Sequence, residues 1–522
     1  MQSVLDPNSP IGQAGVDAVL VSLDPAALGL TGVRVSQDEA DSAVESAAAQ
    51  CQALFQAIRE KIGATVVAQT LPPPGEPLFG SYDMRVPGTP RAMVEELNRR
   101  LTHEIVGKGD LLVDVAFAAS AFGLERWHDS RMWHSAKIPT SLEALPLYAD
   151  HVCRVLGAAK GKSRKCLVLD LDNTLWGGVI GDDGLEGIRL GQGNSEGEAF
   201  LAIQSLALDL RRRGIILAVC SKNEEANARL PFREHKDMLI REEHVAAFVA
   251  NWTDKATNLR EIAAMLNIGT DALVFLDDNP AEREIIRREL PEVAVPEVGD
   301  DPSLYPALLA RAGYFEAISF EDDDRKRADY YQANAERRTA ASVVTDLEDY
   351  LESLEMVLTV APFDDQGRAR IAQLINKSNQ FNLTTRRYGE DQVAALERDP
   401  AKFTLQARLS DKFGDNGMIS VIIFDKSDEE WECDTWLMSC RVLGRRVEEA
   451  LLAVVADAAK AAGARRLMGH YLPTAKNGLV ERHFEKLGFH KVRSDPDGAT
   501  RWELPLESYV CPDLPMDVRV SV

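Results

Sequence analysis

The stretch Cys166-Leu167-Val168-Leu169-Asp170-Leu171-Asp172-Asn173-Thr174-Leu175-Trp176 decides the fold of the middle of this chain. An apolar run this short, entered from the basic segment 160–165, reads as a strand buried in a parallel sheet. Its two carboxylates then fall at the C-terminal edge of the sheet, where open α/β folds bind ligands. Two like charges there call for a cation, and magnesium is the hard, oxygen-seeking choice that also neutralises a phosphate. Taken alone, the Asp-x-Asp spacing is equally well read as a strand followed by an Asx turn.

The segments downstream repeat the pattern. Helices are expected over about 196–213, 256–266 and 280–289, alternating with strands 215–220 and 272–276, which makes a doubly wound unit. Strand 215–220 ends in Ser221-Lys222-Asn223, a hydroxyl followed by a helix start whose N–H groups hold phosphate oxygens. Strand 272–276 ends in the acidic pair Asp277-Asp278, followed by Asn279-Pro280. Between them Lys255 opens a helix after Asn251-Trp252-Thr253-Asp254.

The order Asp-x-Asp-x-Thr, Ser, Lys, acidic pair resembles the haloacid-dehalogenase phosphatase superfamily. That resemblance implies Asp170 as the nucleophile that forms an aspartyl-phosphate, and Asp172 as general acid and base. It implies that Thr174 orients the loop, that Ser221 with Lys222 and Asn223 binds the phosphoryl group, and that Lys255 balances charge. Magnesium would be held by Asp170, the Asp172 carbonyl and Asp278, with Asp277 behind it. Neither usual cap position has room for a cap domain, so the site is expected to be open, closed by a macromolecule or by another part of the chain.

Beyond this core, 522 residues predict three or four domains. Hydrophobic residues are 45% of the chain and charged ones 27%, an ordinary globular composition. A net charge of −23 argues against nucleic acid and anionic membrane as partners. No apolar run approaches the roughly 18 residues of a membrane span. The start Met1-Gln2-Ser3-Val4-Leu5-Asp6 lacks the features of a secretion signal, so a cytoplasmic location is expected. Seven cysteines without a C-x-x-C pair fit neither a disulfide framework nor a zinc site.

Four segments follow: an α/β domain over 1–158, the phosphatase-like domain over 159–300, a solvated connecting helix within 301–344, and an α+β domain over 345–522. The last is expected to hold strands 355–361, 403–409 and 418–424, with a turn at Gly414-Asp415-Asn416-Gly417, and helix 447–462.

Ser439-Cys440-Arg441-Val442-Leu443-Gly444-Arg445-Arg446 enters that helix as an Arg-x-x-Gly-x-Arg turn, which offers N–H groups and guanidinia to a phosphate. With Asn477 and His483-to-Phe489 it resembles the GNAT acyltransferase fold. Three passages together, Cys166 to Gly184, Leu374 to Arg387 and Ser439 to Arg446, resemble the FkbH-like proteins of polyketide pathways, over roughly residues 50 to 510. That resemblance implies an uncapped Rossmannoid phosphatase domain joined to a GNAT-like domain, which loads a glyceryl unit from 1,3-bisphosphoglycerate onto an acyl carrier protein with loss of phosphate. The carrier's phosphopantetheine would lie near Arg441, Gly444 and Arg446.

Cys440 is the candidate to accept the acyl group, since a thiolate can take it and pass it on as a thioester; a buried structural cysteine is the other reading. Cys220 points away from the phosphate by strand alternation. The polar run 376–387 reads either as the lining of a pocket or as a helix end and turn. Residues 15–158 resemble the trailing part of an SGNH-type domain, but the family's Gly-Asp-Ser block and D-x-x-H ending have no counterpart, so a structural or carrier-docking role is expected. The alternative for the whole chain is an uncapped magnesium-dependent phosphatase acting on a phosphoprotein or small phosphate ester, with the C-terminal domain as a binding module.

Overall fold

The computed structural model describes residues 10–13, 15–107, 109–320, 322–331, 333, 337, 347–439 and 442–521. The chain divides into two compact units, Met1–Lys160 and Gly161–Val522. None of the described helices is long and apolar enough to cross a membrane.

The first unit is built on three parallel strands in the order β1 (Ala18–Leu20), β2 (Thr65–Gln69) and β3 (Leu111–Val113). Helices α1 (Gln37–Ala57), α2 (Pro90–Arg100) and α3 (Leu145–Ala159) cover it. Strand β2, the middle one, is buried along nearly its whole length. Polar groups at the C-terminal edge of this sheet are engaged locally. Ser22 accepts from Gln69 Nε2 at 3.0 Å, Thr70 donates to Asp114 Oδ1 at 2.9 Å, and His128 Nε2 lies 3.2 Å from the Pro73 carbonyl.

The second unit opens with a four-stranded parallel sheet in the order β6 (Ala247–Ala250), β5 (Ile216–Ser221), β4 (Cys166–Leu169) and β7 (Leu273–Leu276). Strand alternation sends Leu167 and Leu169 into one apolar cluster and Cys166 and Val168 into another. All four are fully buried, each such aliphatic side chain contributing about 1.5–3 kcal/mol. The helices are α4 (Ser195–Arg212), α5 (Lys255–Leu266) and α6 (Pro280–Glu289). Each starts on a side-chain cap: Asn194 accepts from Gly197 N–H at 2.6 Å, Asp254 from Thr257 N–H at 2.8 Å, and Asn279 from Ala281 N–H at 2.9 Å. Strand β6 was not read from the sequence; it is only four residues long and lies at the sheet edge.

The connecting stretch is packed rather than solvated. Ala328, Tyr330 and Tyr331 are buried, and buried Asp324 accepts from Gln373 Nε2 at 2.7 Å. A few apolar side chains in a charged run suffice to anchor it, which charge counting missed.

The remainder is an eight-stranded mixed sheet in the order β13 (His490–Ser494), β14 (Thr500–Pro505), β12 (Arg466–Tyr471), β11 (Glu430–Met438), β10 (Gly414–Lys426), β9 (Lys402–Asp411), β8 (Met356–Ala361) and β15 (Met516–Val520). Helix α7 (Arg368–Lys377) follows β8, and α8 (Val447–Ala461) follows β11. The expected turn at Gly414–Gly417 lies three residues early: the chain reverses at Lys412 and Phe413, and Asp411 pairs with Gly414. Asp411 accepts the Phe413 N–H at 2.9 Å and makes the turn. Gly417, at φ +67°, serves instead a register shift between Asp415 and Met418.

Candidate active site

The C-terminal ends of β4, β5 and β7, with the start of α5, bring together Asp170, Ser221, Lys255, Asp277 and Asp278. Asp170 leaves β4 buried, its N–H donating to the Leu276 carbonyl of β7 at 2.9 Å. Lys255 is buried at the first position of α5; its ammonium lies 2.5 Å from Asp277 Oδ2 and 3.2 Å from Asp170 Oδ1. Asp277 Oδ1 accepts the Asn279 N–H at 2.8 Å, so both of its oxygens are taken. Asp277 therefore orients Lys255.

Asp278 is held by the loop after β4. Its N–H donates to Thr174 Oγ1 at 3.2 Å, and that hydroxyl lies 3.5 Å from Asp278 Oδ1. Thr174 thus ties the loop after β4 to the acidic pair after β7. Arg283, also buried, donates to the Asp277 and Asp278 carbonyls at 3.0 and 2.7 Å. A buried arginine one turn into α6 carries no sequence signal that separates it from a surface one.

Burial dominates the electrostatics. It pushes the Asp170 carboxyl up to about 6, against the pull of Lys255. Burial and then the charge of Asp170 push Asp278 up to about 6. Burial raises Asp277 as well, with Lys255 opposing it. Desolvation draws Lys255 down, but Asp170 and Asp277 outweigh it and hold the ammonium above its ordinary range.

One lysine among three acids leaves the cluster short of positive charge. Asp170, Asp277 and Asp278 each present a carboxylate oxygen within 4.8 Å of the others. Asp170 Oδ1 is buried and has no hydrogen bond beyond its 3.2 Å ion pair with Lys255. An all-oxygen set with a buried acceptor so sparsely partnered fits a hard divalent cation. Asp170 and Asp278 have oxygens to offer it, whereas Asp277 is committed.

Asp172 belongs to the same loop but not to this cluster. Its Oδ1 accepts from the Trp176 indole N–H at 2.9 Å and the Ile180 N–H at 3.0 Å, and its Oδ2 from Asn223 Nδ2 at 2.8 Å. Asn173 adopts a left-handed φ of 55° and accepts the Gly178 N–H at 2.9 Å, which folds the loop back on itself. Asn223 bridges Asp172 to Ser221 Oγ, donating to the latter at 3.2 Å. Lys222 pairs with Glu282 at 2.6 Å. Trp176 was read only as part of a family pattern; an aromatic in an apolar run gives no sign that its N–H is aimed at a carboxylate. Cys220 is buried on the far face, and desolvation pushes its thiol far up, which fits core packing.

Cys440 and Arg441 lie outside the described residues. Gly444 takes φ +78° in the turn before α8. Arg446 donates to Glu449 at 2.7 Å and lies 3.7 Å from Glu348. Arg445 is buried on Asp411 at 3.0 Å. The amides of the run 376–387 turn inward on backbone: Asn376 donates to the Ala372 and Tyr388 carbonyls, and Asn382 accepts the Thr385 N–H. They build a loop rather than line a pocket.

No family model and no curated protein matches the chain. Among solved structures, the N-terminal part of a Bacteroides fragilis protein containing a phosphatase domain, complexed with magnesium, is 34% identical; the match covers 61% of this chain and 84% of that one, at a TM-score of 0.56. The GNAT domain of a Streptomyces lividans acetyltransferase is 21% identical, covering 28% of this chain and 89% of its own, at a TM-score of 0.23. The Escherichia coli ribosomal-protein-S18-alanine N-acetyltransferase is 16% identical, covering 28% and 94%, also at 0.23. With a third of its residues shared over most of the Bacteroides structure, the chain belongs to the family of that phosphatase-domain protein.

Proposed function

We propose that this chain is a magnesium-dependent phosphoryl-transfer enzyme working through an aspartyl-phosphate on Asp170. The observation that carries this is the buried Asp170 carboxylate, ion-paired with Lys255 and grouped with Asp277 and Asp278 as a cation-sized oxygen cluster. A cation bound by Asp170 and Asp278 would neutralise the transferring phosphoryl group. Asp170 attacks phosphorus, and the bond to the leaving oxygen breaks. Lys255 stays charged beside the nucleophile throughout, and Ser221, at the end of the neighbouring strand β5, meets the phosphoryl oxygens. Asp172 supplies the proton to the leaving oxygen and then takes one from water; Trp176, Ile180 and Asn223 fix where it waits.

The finer proposal is that the phosphorylated substrate is 1,3-bisphosphoglycerate and that its glyceryl unit is passed to an acyl carrier protein. It rests on the three passages that resemble the FkbH-like proteins. One observation favours the second reading, a phosphatase with the C-terminal sheet as a binding module: Arg445 and Arg446, expected near a pantetheine phosphate, are both paired with carboxylates of the chain itself.

The test is intact mass of the protein and a holo carrier protein after incubation with magnesium and 1,3-bisphosphoglycerate, with phosphate release followed in parallel. A glyceryl adduct on the carrier, lost in Asp170→Asn, supports the finer proposal. Phosphate release without an adduct supports the second reading. No phosphate release from either this substrate or a panel of phosphate esters overturns both.

A further inference from the structure

Strands β11 and β12 pair in parallel only at Glu430–Glu432 with Arg466–Met468, and then they part. Beyond that point one edge of β11 has lost its neighbour. In an α/β or mixed sheet such a divergence leaves a slot lined by main-chain N–H and C=O groups, which an extended, amide-bearing ligand can enter as an added strand. The pantetheine chain, which the GNAT-like reading of this unit calls for, has that chemistry.

The slot is taken by the chain itself. Leu383 N–H donates to the Trp436 carbonyl at 3.1 Å, and Met438 N–H to the Phe381 carbonyl at 3.1 Å. Asn382 forms an antiparallel bridge with Leu437 between them. On the far side, Leu472 N–H, just past β12, donates to the Leu383 carbonyl at 2.9 Å. Further along, Thr384 Oγ1 donates to the Asp434 carbonyl at 2.8 Å, and Tyr388 donates to Asp434 Oδ1 at 2.8 Å. The segment from Phe381 to Tyr388 therefore covers the free edge of β11 from Met438 to Asp434.

We infer that Phe381–Leu383 is a built-in occupant of the slot between β11 and β12, and that this unit takes no pantetheine chain there. The occupant is anchored as core, not laid over as a lid. Phe381 and Leu383 are buried in the same cluster as Trp436, Met438 and Phe484. Phe381 meets the buried His483 ring edge-on, with centroids 5.1 Å apart. Asn477, fully buried, donates to the Asn382 carbonyl at 3.0 Å and to the Leu472 carbonyl at 2.9 Å, clipping the segment to β12. A ligand that must first displace two buried side chains and these hydrogen bonds has its affinity divided by the closed-to-open ratio, on the order of 10⁴ or more. An acyl-bearing arm that serves this protein must then approach by another route.

The test is amide hydrogen exchange on the full chain with and without millimolar coenzyme A, read at Leu383, Met438 and Leu472, whose main-chain N–H groups hold the segment. Protection unchanged by coenzyme A is the expected result, whether or not the compound binds elsewhere. Tenfold or faster exchange at these amides in its presence shows the segment leaving the slot and overturns the inference.

Discussion

The indole N–H of Trp176 donates to Asp172 Oδ1 at 2.9 Å, and the ring that carries it is fully buried, edge-on to Phe232 with centroids 6.0 Å apart. Packing therefore fixes the donor, and the donor fixes the carboxylate that is to exchange protons with substrate and water. Trp176→Phe keeps an aromatic ring but removes the N–H. A hydrogen bond to a charged group contributes about 1.5–3 kcal/mol, so kcat for phosphate release should fall roughly 10- to 100-fold with little change in KM. Phosphate release at the parent rate in a folded variant would show that Trp176 only packs.

Lys255 is the cation between Asp170 and Asp277. Lys255→Met leaves those two acids and Asp278 facing one another in a buried site. Removing one partner of such a group costs about 3–5 kcal/mol, and phosphate release should drop below detection. Magnesium should restore part of the lost stability but none of the activity. Denaturant melts with magnesium and with chelator separate the two effects; a variant as stable as the parent in chelator would refute the charge balance argued for Lys255.

Asp170, Thr174, Ser221, Lys255 and Asp278 were legible in the sequence because each follows a strand end or opens a helix, positions that parallel topology maps to one edge. Asp172 was legible as an acid but not as one held by three N–H donors, since Trp176 and Ile180 reach it through a loop reversal set by the left-handed Asn173, and Asn223 reaches it from the end of β5. The same limit applied further on. Asn376 and Asn382 in a polar run and Arg445 in a basic one advertise binding by composition, yet the structure spends them on the Ala372 carbonyl, the Thr385 N–H and Asp411. Composition reports which groups can bond and leaves their partners to tertiary contacts. The edge strand β6 and the packed connecting stretch were missed because each buries too few residues to show a period.

Asp170 and Asp278 both reach about 6 because burial disfavours their charge. In the unfolded chain they ionise near pH 4. The folded protein thus binds more protons than the unfolded one between about pH 4 and 6, so this pair's contribution to metal-free stability is present below that window and lost as pH rises through it. Magnesium needs the ionised forms, so its affinity runs the other way. The shift in melting temperature produced by magnesium should be small at pH 5 and grow up to pH 7, measured in one buffer series at constant ionic strength. A shift independent of pH would mean that the ion binds elsewhere.

Asp411 ends β9 with both oxygens committed: Oδ1 accepts from Arg337 at 2.6 Å and Oδ2 from Arg445 at 3.0 Å. The carboxylate is fully buried and both guanidinia are nearly so, so the three side chains form one desolvated group beneath the β9–β10 turn. The attraction among them only offsets the cost of burying them, but removing the shared anion leaves two positive charges facing each other out of water. Asp411→Ala should therefore destabilise the chain by about 3–5 kcal/mol, whereas an exposed pair such as Arg482 with Glu485 should give less than about 1 kcal/mol on the same assay. Phosphate release at a temperature where the variant stays folded should be unchanged, because Asp411 holds the turn before α8 and has no contact with the Asp170 site. If Asp411→Ala instead lowered phosphate release without lowering stability, the C-terminal sheet would be part of the phosphatase site rather than a separately stabilised body.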